Sequence, residues 1–182
     1  KKYLIFITLL TLVFTNILAE EGIKTIVISA GKTLQSLDTV GSTIEVIDSD
    51  AIKNSSYSLL ADVINDNSTS TNFFRAGGVG SNTGVQLRGL EKRYSTVYID
   101  GVKMMDPSSP DGSFYLDNLT KNGIEKVEIL KGTQSSLYGS NAIGGTINIY
   151  TKKGNKGNHQ SFEIETASKN TNNVNYSLNG AN

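Results

Sequence analysis

A chain of 182 residues, 37% of them hydrophobic, holds one ordinary domain or at most two. Its 17 Lys and Arg balance 17 Asp and Glu, and no basic patch with interleaved aromatics occurs, so the footprint of a nucleic-acid binder is missing. The absence of cysteine excludes a disulfide framework, a thiolate metal site and a cysteine nucleophile, and the single histidine, His159, stands in a glycine- and lysine-rich stretch that suits neither a zinc cluster nor a Ser-His-Asp triad.

Lys1 and Lys2 open the chain, residues 3–18 are almost continuously apolar, and Ala19 precedes Glu20 and Glu21. This reads as a secretory signal peptide over residues 1–19, the apolar run being short for a transmembrane helix; an uncleaved anchor is the alternative. Ile17, three residues before the expected cleavage point, is larger than the small residue usual there. With no initiator Met, the sequence reads as starting inside its frame. Export without cysteine fits a bacterial periplasmic or outer-membrane product.

Thr25, Ile26, Val27 and Ile28 form a short β-forming segment near the new N-terminus, of the kind that adds itself as a strand to a partner's sheet edge; the plainer reading is a first strand of the fold. Residues 31–41 read as a polar linker. Residues 43–47 predict a strand, with Asp48 or Ser49 capping a short helix through Lys53. Leu59, Leu60, Val63 and Ile64 share one face of a second helix, with Ser56 or Ser58 as its expected N-cap.

A strand over residues 69–74 leads into a glycine-rich loop over residues 75–84. Such a loop cradles phosphate when it enters a helix, and this one enters a strand. Strands are expected at residues 85–88 and 96–100, with a turn at Asp100-Gly101. Residues 103–113 carry both prolines and predict a loop. Asp106, Asp111 and Asp117 do not have EF-hand spacing, so a solvated turn is expected rather than calcium. In residues 124–131, Val127 and Ile129 alternate with Glu128, the pattern of a strand with one buried face. A helical turn at residues 134–138, glycine hinges at Gly139, Gly144 and Gly145, and a second strand at residues 146–151 follow. After a linker at residues 153–158, the runs 161–168 and 175–179 alternate apolar and polar as a transmembrane barrel requires.

The stretch IEKVEILKGTQSSLYGSNAIGGTINIYTK closely resembles the end of the plug domain of TonB-dependent outer-membrane receptors, "IE.VEVL.GP.S.LYG..AIGG.INI.TK", with Thr133 in place of Pro and Lys131 in place of Arg. VQLRG at residues 85–89 and VYIDGV at residues 97–102 are similar to the family's second block. The resemblance covers roughly residues 23–152 and implies an α+β fold: a small mixed-sheet plug with short helices over residues 42–152, followed at residues 153–182 by the first hairpin of a truncated transmembrane β-barrel. Its barrel would have roughly 22 strands.

The resemblance further implies that Thr25, Ile26, Val27 and Ile28 are a TonB box, with residues 20–41 as box and linker. It implies that Arg75, Gly77, Gly78, Ser81, Asn82, Met104, Asp106, Ser108 and Asp111 lie on loops facing the ligand. Arg88, Glu128 and Lys131 would pair the plug to the barrel wall, the alternative being ordinary polar faces of half-buried strands. The implied function is nutrient uptake across the outer membrane with the TonB complex as partner and cobalamin or a ferric siderophore as ligand, the wording standing nearest the vitamin B12 receptor branch. No enzyme, cofactor or metal is implied. The rival readings are a stand-alone periplasmic binding module and an exported hydrolase using Asp100 and Asp117.

Overall fold

A computed structural model describes residues 25–154, 156–168 and 171–181. The expected signal peptide, residues 1–19, lies outside the described residues.

The N-terminal segment is a small hairpin of β1 (Ile26–Val27) and β2 (Gln35–Ser36), with Ile26 opposite Ser36 and Val27 opposite Gln35. The expected linker over residues 31–41 therefore contains a strand and, after it, a 3-10 turn at Leu37–Thr39. β3 (Ile44–Ile47) precedes α1 (Ser49–Asn54), whose first turn is capped as expected: the Asp48 carboxylate accepts the Ala51 N–H at 2.8 Å.

α2 (Leu60–Asn67) departs from expectation at its start, because neither Ser56 nor Ser58 caps it. The chain returning through residues 119–121 supplies the partners instead. The Leu60 N–H donates to the Leu119 carbonyl at 2.8 Å, and the Lys121 N–H to the Ser58 carbonyl at 3.0 Å. A tertiary bridge thus satisfies what a local side chain usually does. The apolar face is Leu60, Ala61, Val63 and Ile64, with Leu59 only partly covered.

β4 (Thr71–Arg75) and β5 (Thr83–Leu87) form a second hairpin. β6 (Ser95–Ile99) and β7 (Val102–Met104) form a third, joined by Asp100 and Gly101 at φ of 48° and 83°. Two left-handed residues between paired strands make the tight turn that Asp-Gly favours. Lys103 and Met104 pair with Tyr98 and Val97, so the proline-bearing loop begins after Met104 rather than at Lys103.

β8 (Ile124–Lys131), α3 (Ser135–Tyr138) and β9 (Gly145–Thr151) form the strand-turn-strand unit predicted from the glycine spacing. These strands lie at the centre of a five-stranded mixed sheet ordered β3-β8-β9-β6-β7, in which only β6 and β9 run parallel. β10 (Gly157–Ala167) and β11 (Thr171–Ala181) close the chain as an eleven-rung antiparallel ribbon that starts inside the expected linker.

The sheet is covered on both faces, which explains the largest difference from the sequence reading. Val127, Ile129, Ile147, Ile149 and Val97 face α1 and α2 in the main core. On the other face Leu130, Tyr98, Tyr138 and Ala142 make a second cluster. Alternation along β8 consequently separates two buried environments, and Glu128 has no exposed surface at all.

At the edge of the sheet, Glu45 forms an ion pair with Lys131 and accepts hydrogen bonds from the Ser68 and Ser70 hydroxyls. Burial raises the Glu45 carboxyl, but Lys131, Ser68 and Ser70 together outweigh it and hold the group below its ordinary value of 4.5. A carboxyl lowered by folding contributes stability above its unfolded value and loses it as pH falls through the folded one. Thermal unfolding of the full-length receptor below pH 4.5 is expected to show an acid-side loss that Glu45→Gln flattens; parallel wild-type and variant curves would remove the contribution.

Candidate functional site

Two groups of residues stand out at different parts of the fold. The first gathers around Glu128. Its carboxylate accepts the Ile28 N–H at 3.1 and 3.0 Å and the Ser29 N–H at 2.8 Å. The Lys126 ammonium lies 2.6 Å from Glu128 Oε1 and donates to the Ile26 carbonyl at 3.0 Å. The Tyr138 hydroxyl donates to the Ser29 carbonyl at 2.5 Å, and the Tyr98 hydroxyl to the Tyr138 carbonyl at 2.8 Å. Burial, then the nearby Glu128 charge and Tyr98, push the Tyr138 hydroxyl up to about 12, so it remains a donor throughout the neutral range.

Three side chains from β8 and α3, Lys126, Glu128 and Tyr138, therefore hold the segment expected to be the TonB box and the residue after it, and Tyr98 of β6 braces Tyr138. Val27, inside that segment, is fully buried, while Thr25 and Ile26 are exposed. The sequence does not point to Lys126 as the partner of Ile26, to Tyr138 as the partner of Ser29, or to Tyr98 as the support of Tyr138. The one available signal was a glutamate sharing its strand face with Leu130.

The second group is formed by the loops. The expected ligand-facing residues are not one cluster. Arg75 is used structurally, its guanidinium meeting the Asp62 carboxylate at 2.9 and 3.0 Å. Gly77, Gly78 and Ser81 form a turn in which the Gly78 carbonyl accepts the Ser81 N–H at 3.1 Å and the Ser81 hydroxyl at 2.7 Å. Met104 packs against the main core. Asp106 and Ser108 form a local turn, the carboxylate accepting the Ser108 N–H at 2.8 Å.

Asn82 and Asp111 do come together. They line a cavity of roughly 430 Å³ with Phe74, Gln86, Lys92 and Tyr115. Asp111 is held well below the usual carboxylate range by the Ser109 hydroxyl, followed by Ser113 and the Lys92 charge 3.6 Å away. Lys92 also donates to the Tyr115 hydroxyl, which raises the ammonium and lowers the phenol. This wall combines an exposed Phe74 with a tyrosine, a cation and an amide, the composition of a small-molecule site. Sequence reading missed Phe74, Gln86, Lys92 and Tyr115, which adjoin the expected loops on strands and turns.

The three residues expected to meet a barrel wall have distinct surroundings. Arg88 is exposed, in the left-handed region at φ 55°, with its guanidinium beside Gly132. Lys131 is paired with Glu45. Glu128 faces the N-terminal segment and is sealed from the surface.

A contact with the β10–β11 ribbon arises elsewhere, where the Ser58 hydroxyl donates to the Glu165 carboxylate at 2.7 Å. The ribbon is inside out for a soluble protein. Phe162, Ile164, Val174, Tyr176 and Leu178 share one face and are between 59% and 65% exposed. Ser161, Glu163, Asn175, Ser177 and Asn179 line the opposite side, towards Ser49, Ile52 and Lys121.

Asp100 and Asp117, weighed as paired acids, each serve the backbone. Asp100 accepts the Thr151 N–H at 2.9 Å at the β6–β7 turn, and Asp117 accepts the Thr83 N–H at the start of β5.

Comparison with known proteins agrees with this architecture. Residues 36–146 match the family described as "TonB-dependent Receptor Plug Domain". The chain is 41% identical over 76 residues to a vitamin B12 transporter of Photobacterium profundum, covering 42% of this chain and 12% of the relative. It is 35% identical over 139 residues to the rhizobactin receptor of Rhizobium meliloti, covering 75% of this chain and 18% of the relative. Among solved structures, the ferripyoverdine receptor of the outer membrane of Pseudomonas aeruginosa superposes with a TM-score of 0.72 at 16% identity, over 86% of this chain and 20% of that one. The chain thus spans a fifth or less of each of these three. The family consists of receptors and transporters of the outer membrane. With a mixed sheet covered on both faces, a following ribbon whose apolar side faces out, and the family pattern running through β8 and β9, this chain belongs to the plug-domain family of TonB-dependent outer-membrane receptors.

Proposed function

We propose that residues 42–152 are the plug of a nutrient receptor that sits in the lumen of a barrel begun at residues 153–182. The receptor binds a scarce cobalamin or ferric siderophore at its outer loops and passes it to the periplasm with energy delivered by TonB. Vitamin B12 and siderophore receptors both stand among the relatives, which supports the ligand class at this breadth.

The observation that carries the reading is the β10–β11 ribbon: an apolar side turned outward and a polar side turned to the plug is the arrangement of a barrel wall in lipid. A barrel wide enough for such a ligand leaks unless its lumen is filled, and a domain with a small sheet and many polar contacts is suited to filling it reversibly. The reading makes the protein a transporter rather than an enzyme, since moving the ligand breaks no bond in it. Thr25, Ile26, Val27 and Ile28 are the strand on which the TonB partner pulls. Asn82, Asp111 and the cavity beside them lie on the side that meets the ligand. Arg88, exposed on its tight turn, is the charge of the three best placed to meet the wall.

Deleting residues 25–28 from the full-length receptor is expected to abolish uptake while leaving ligand binding within about twofold. Uptake at the parent rate would remove the box assignment. Titration of the intact receptor with cyanocobalamin and with ferric chelates of the hydroxamate and catecholate types decides the ligand, the tighter binder being the cargo.

A further inference from the structure

The groups that Lys126 and Glu128 occupy on β1 are the ones a neighbouring strand would use. In an antiparallel pair, alternate residues turn both backbone polar groups toward the partner and the others turn both away. The Thr25 carbonyl accepts the Leu37 N–H at 2.9 Å, so Thr25 faces β2, and Val27 faces it with the same period. Ile26 and Ile28 therefore point outward. That outer edge has no strand beside it, since the small sheet contains β1 and β2 alone among the described residues.

An open edge of this kind is a template for another chain. Here it is taken: the Ile26 carbonyl by the Lys126 ammonium at 3.0 Å, and the Ile28 N–H by the Glu128 carboxylate at 3.0 Å. A carbonyl and the N–H two residues along are the pair bonded by one residue of an added parallel strand. Lys126 and Glu128, two apart on one face of β8 and 2.6 Å from each other, present the matching donor and acceptor.

We propose that Lys126 and Glu128 are a strand-mimicking clasp that masks the outer edge of the N-terminal segment, so that a partner strand gains this edge only by displacing them. The proposal rests on the reading of residues 25–28 as the docking strand, and adds what controls access to it. Glu128 has no exposed surface, and a carboxylate is tolerated there because three N–H contacts and one ammonium satisfy it. Lifting the segment off opens the carboxylate to water, which replaces those contacts. The two states therefore differ modestly in free energy, which is the condition for a segment that docks and undocks. The apparent affinity of a partner falls by the fraction of molecules with the edge free, so a clasp closed in nine of ten molecules weakens binding about tenfold.

The test uses the full-length receptor in liposomes, free of other cysteines, with Val27→Cys as a near-isosteric thiol at a position that is buried when docked. Glu128→Gln keeps the shape but removes the charge and the ion pair. Lys126→Met keeps the stem and leaves Glu128 bonded to the backbone, and it covers the case in which the first variant fails to fold. Both are expected to speed maleimide labelling of position 27 by about tenfold and to tighten binding of the purified periplasmic domain of TonB several-fold. Unchanged labelling in the folded variants overturns the clasp. Faster labelling with unchanged TonB affinity overturns the competition between clasp and partner strand. Faster labelling with no TonB binding to parent or variant supports the clasp and overturns instead the reading of residues 25–28 as the TonB strand.

Discussion

Gly145→Ala is expected to destabilise the plug by about 4 kcal/mol or more, enough that the receptor accumulates with an open or protease-sensitive lumen. Gly145 starts β9 opposite Lys131, at φ 141°, a conformation L residues rarely adopt. A Cβ added there lies 2.1 Å from the Leu130 carbonyl oxygen and 3.1 Å from the Leu87 side chain. Both obstacles are fixed, one being backbone of the neighbouring strand β8 and the other a fully buried residue of the main core. The β8–β9 ladder, which carries the core on both faces, must spread to admit the methyl group. Gly139→Ala is the internal comparison: its φ of 90° and ψ of 170° are also unfavourable, but nothing lies within 4 Å of the added atom, so only backbone strain of about 1–3 kcal/mol is expected. Limited proteolysis and thermal melting of the two full-length variants check this, and equal stability would show that the ladder gives way at little cost.

The same residue shows how much of the fold was readable in advance. Glycine hinges and β-branched runs predicted two strands around a helical turn, because local conformational demand is written in single residues such as Gly139, Gly145 and the Asp100-Gly101 pair. What stayed hidden was anything decided by a distant segment. Ser58 looks like an N-cap and instead donates to Glu165, because residues 119–121 already satisfy the helix start. Residues 31–41 look like a linker and pair with the N-terminal segment, since two residues, Gln35 and Ser36, are too few to give a period. Glu128 looks like the polar face of a half-buried strand. Its burial follows from the second layer made by Tyr98, Leu130, Tyr138 and the docked N-terminus, the last of which bonds to it across 99 residues of sequence. The candidate sites were legible as positions along the chain, the loops around Asn82 and Asp111 and the segment at residues 25–28. Their partners Lys92, Tyr115, Lys126 and Tyr138 were not, since a pairing across the fold leaves no local periodicity.

The paired change Ile164→Arg with Val174→Arg is expected to reduce receptor in the outer membrane at least tenfold. These two residues are direct cross-strand partners on the exposed apolar side of β10–β11. If that side meets lipid, each arginine near the bilayer midplane costs about 2–4 kcal/mol, and two adjacent like charges add repulsion. A soluble ribbon would respond in the opposite way, because replacing two large exposed apolar groups with charge generally improves solubility and leaves stability within about 0.5 kcal/mol. The control is Glu163→Lys with Asn175→Lys, also a direct pair but on the side that faces the plug and the lumen. It changes charge by a larger amount and is expected to insert, with its effect confined to how the ribbon sits against Ser58 and Lys121 of the plug. Quantifying heat-modifiable receptor in outer-membrane fractions separates the cases. Equal insertion of the two double variants would mean that the outward side never meets lipid, and the ribbon would lose its standing as barrel wall.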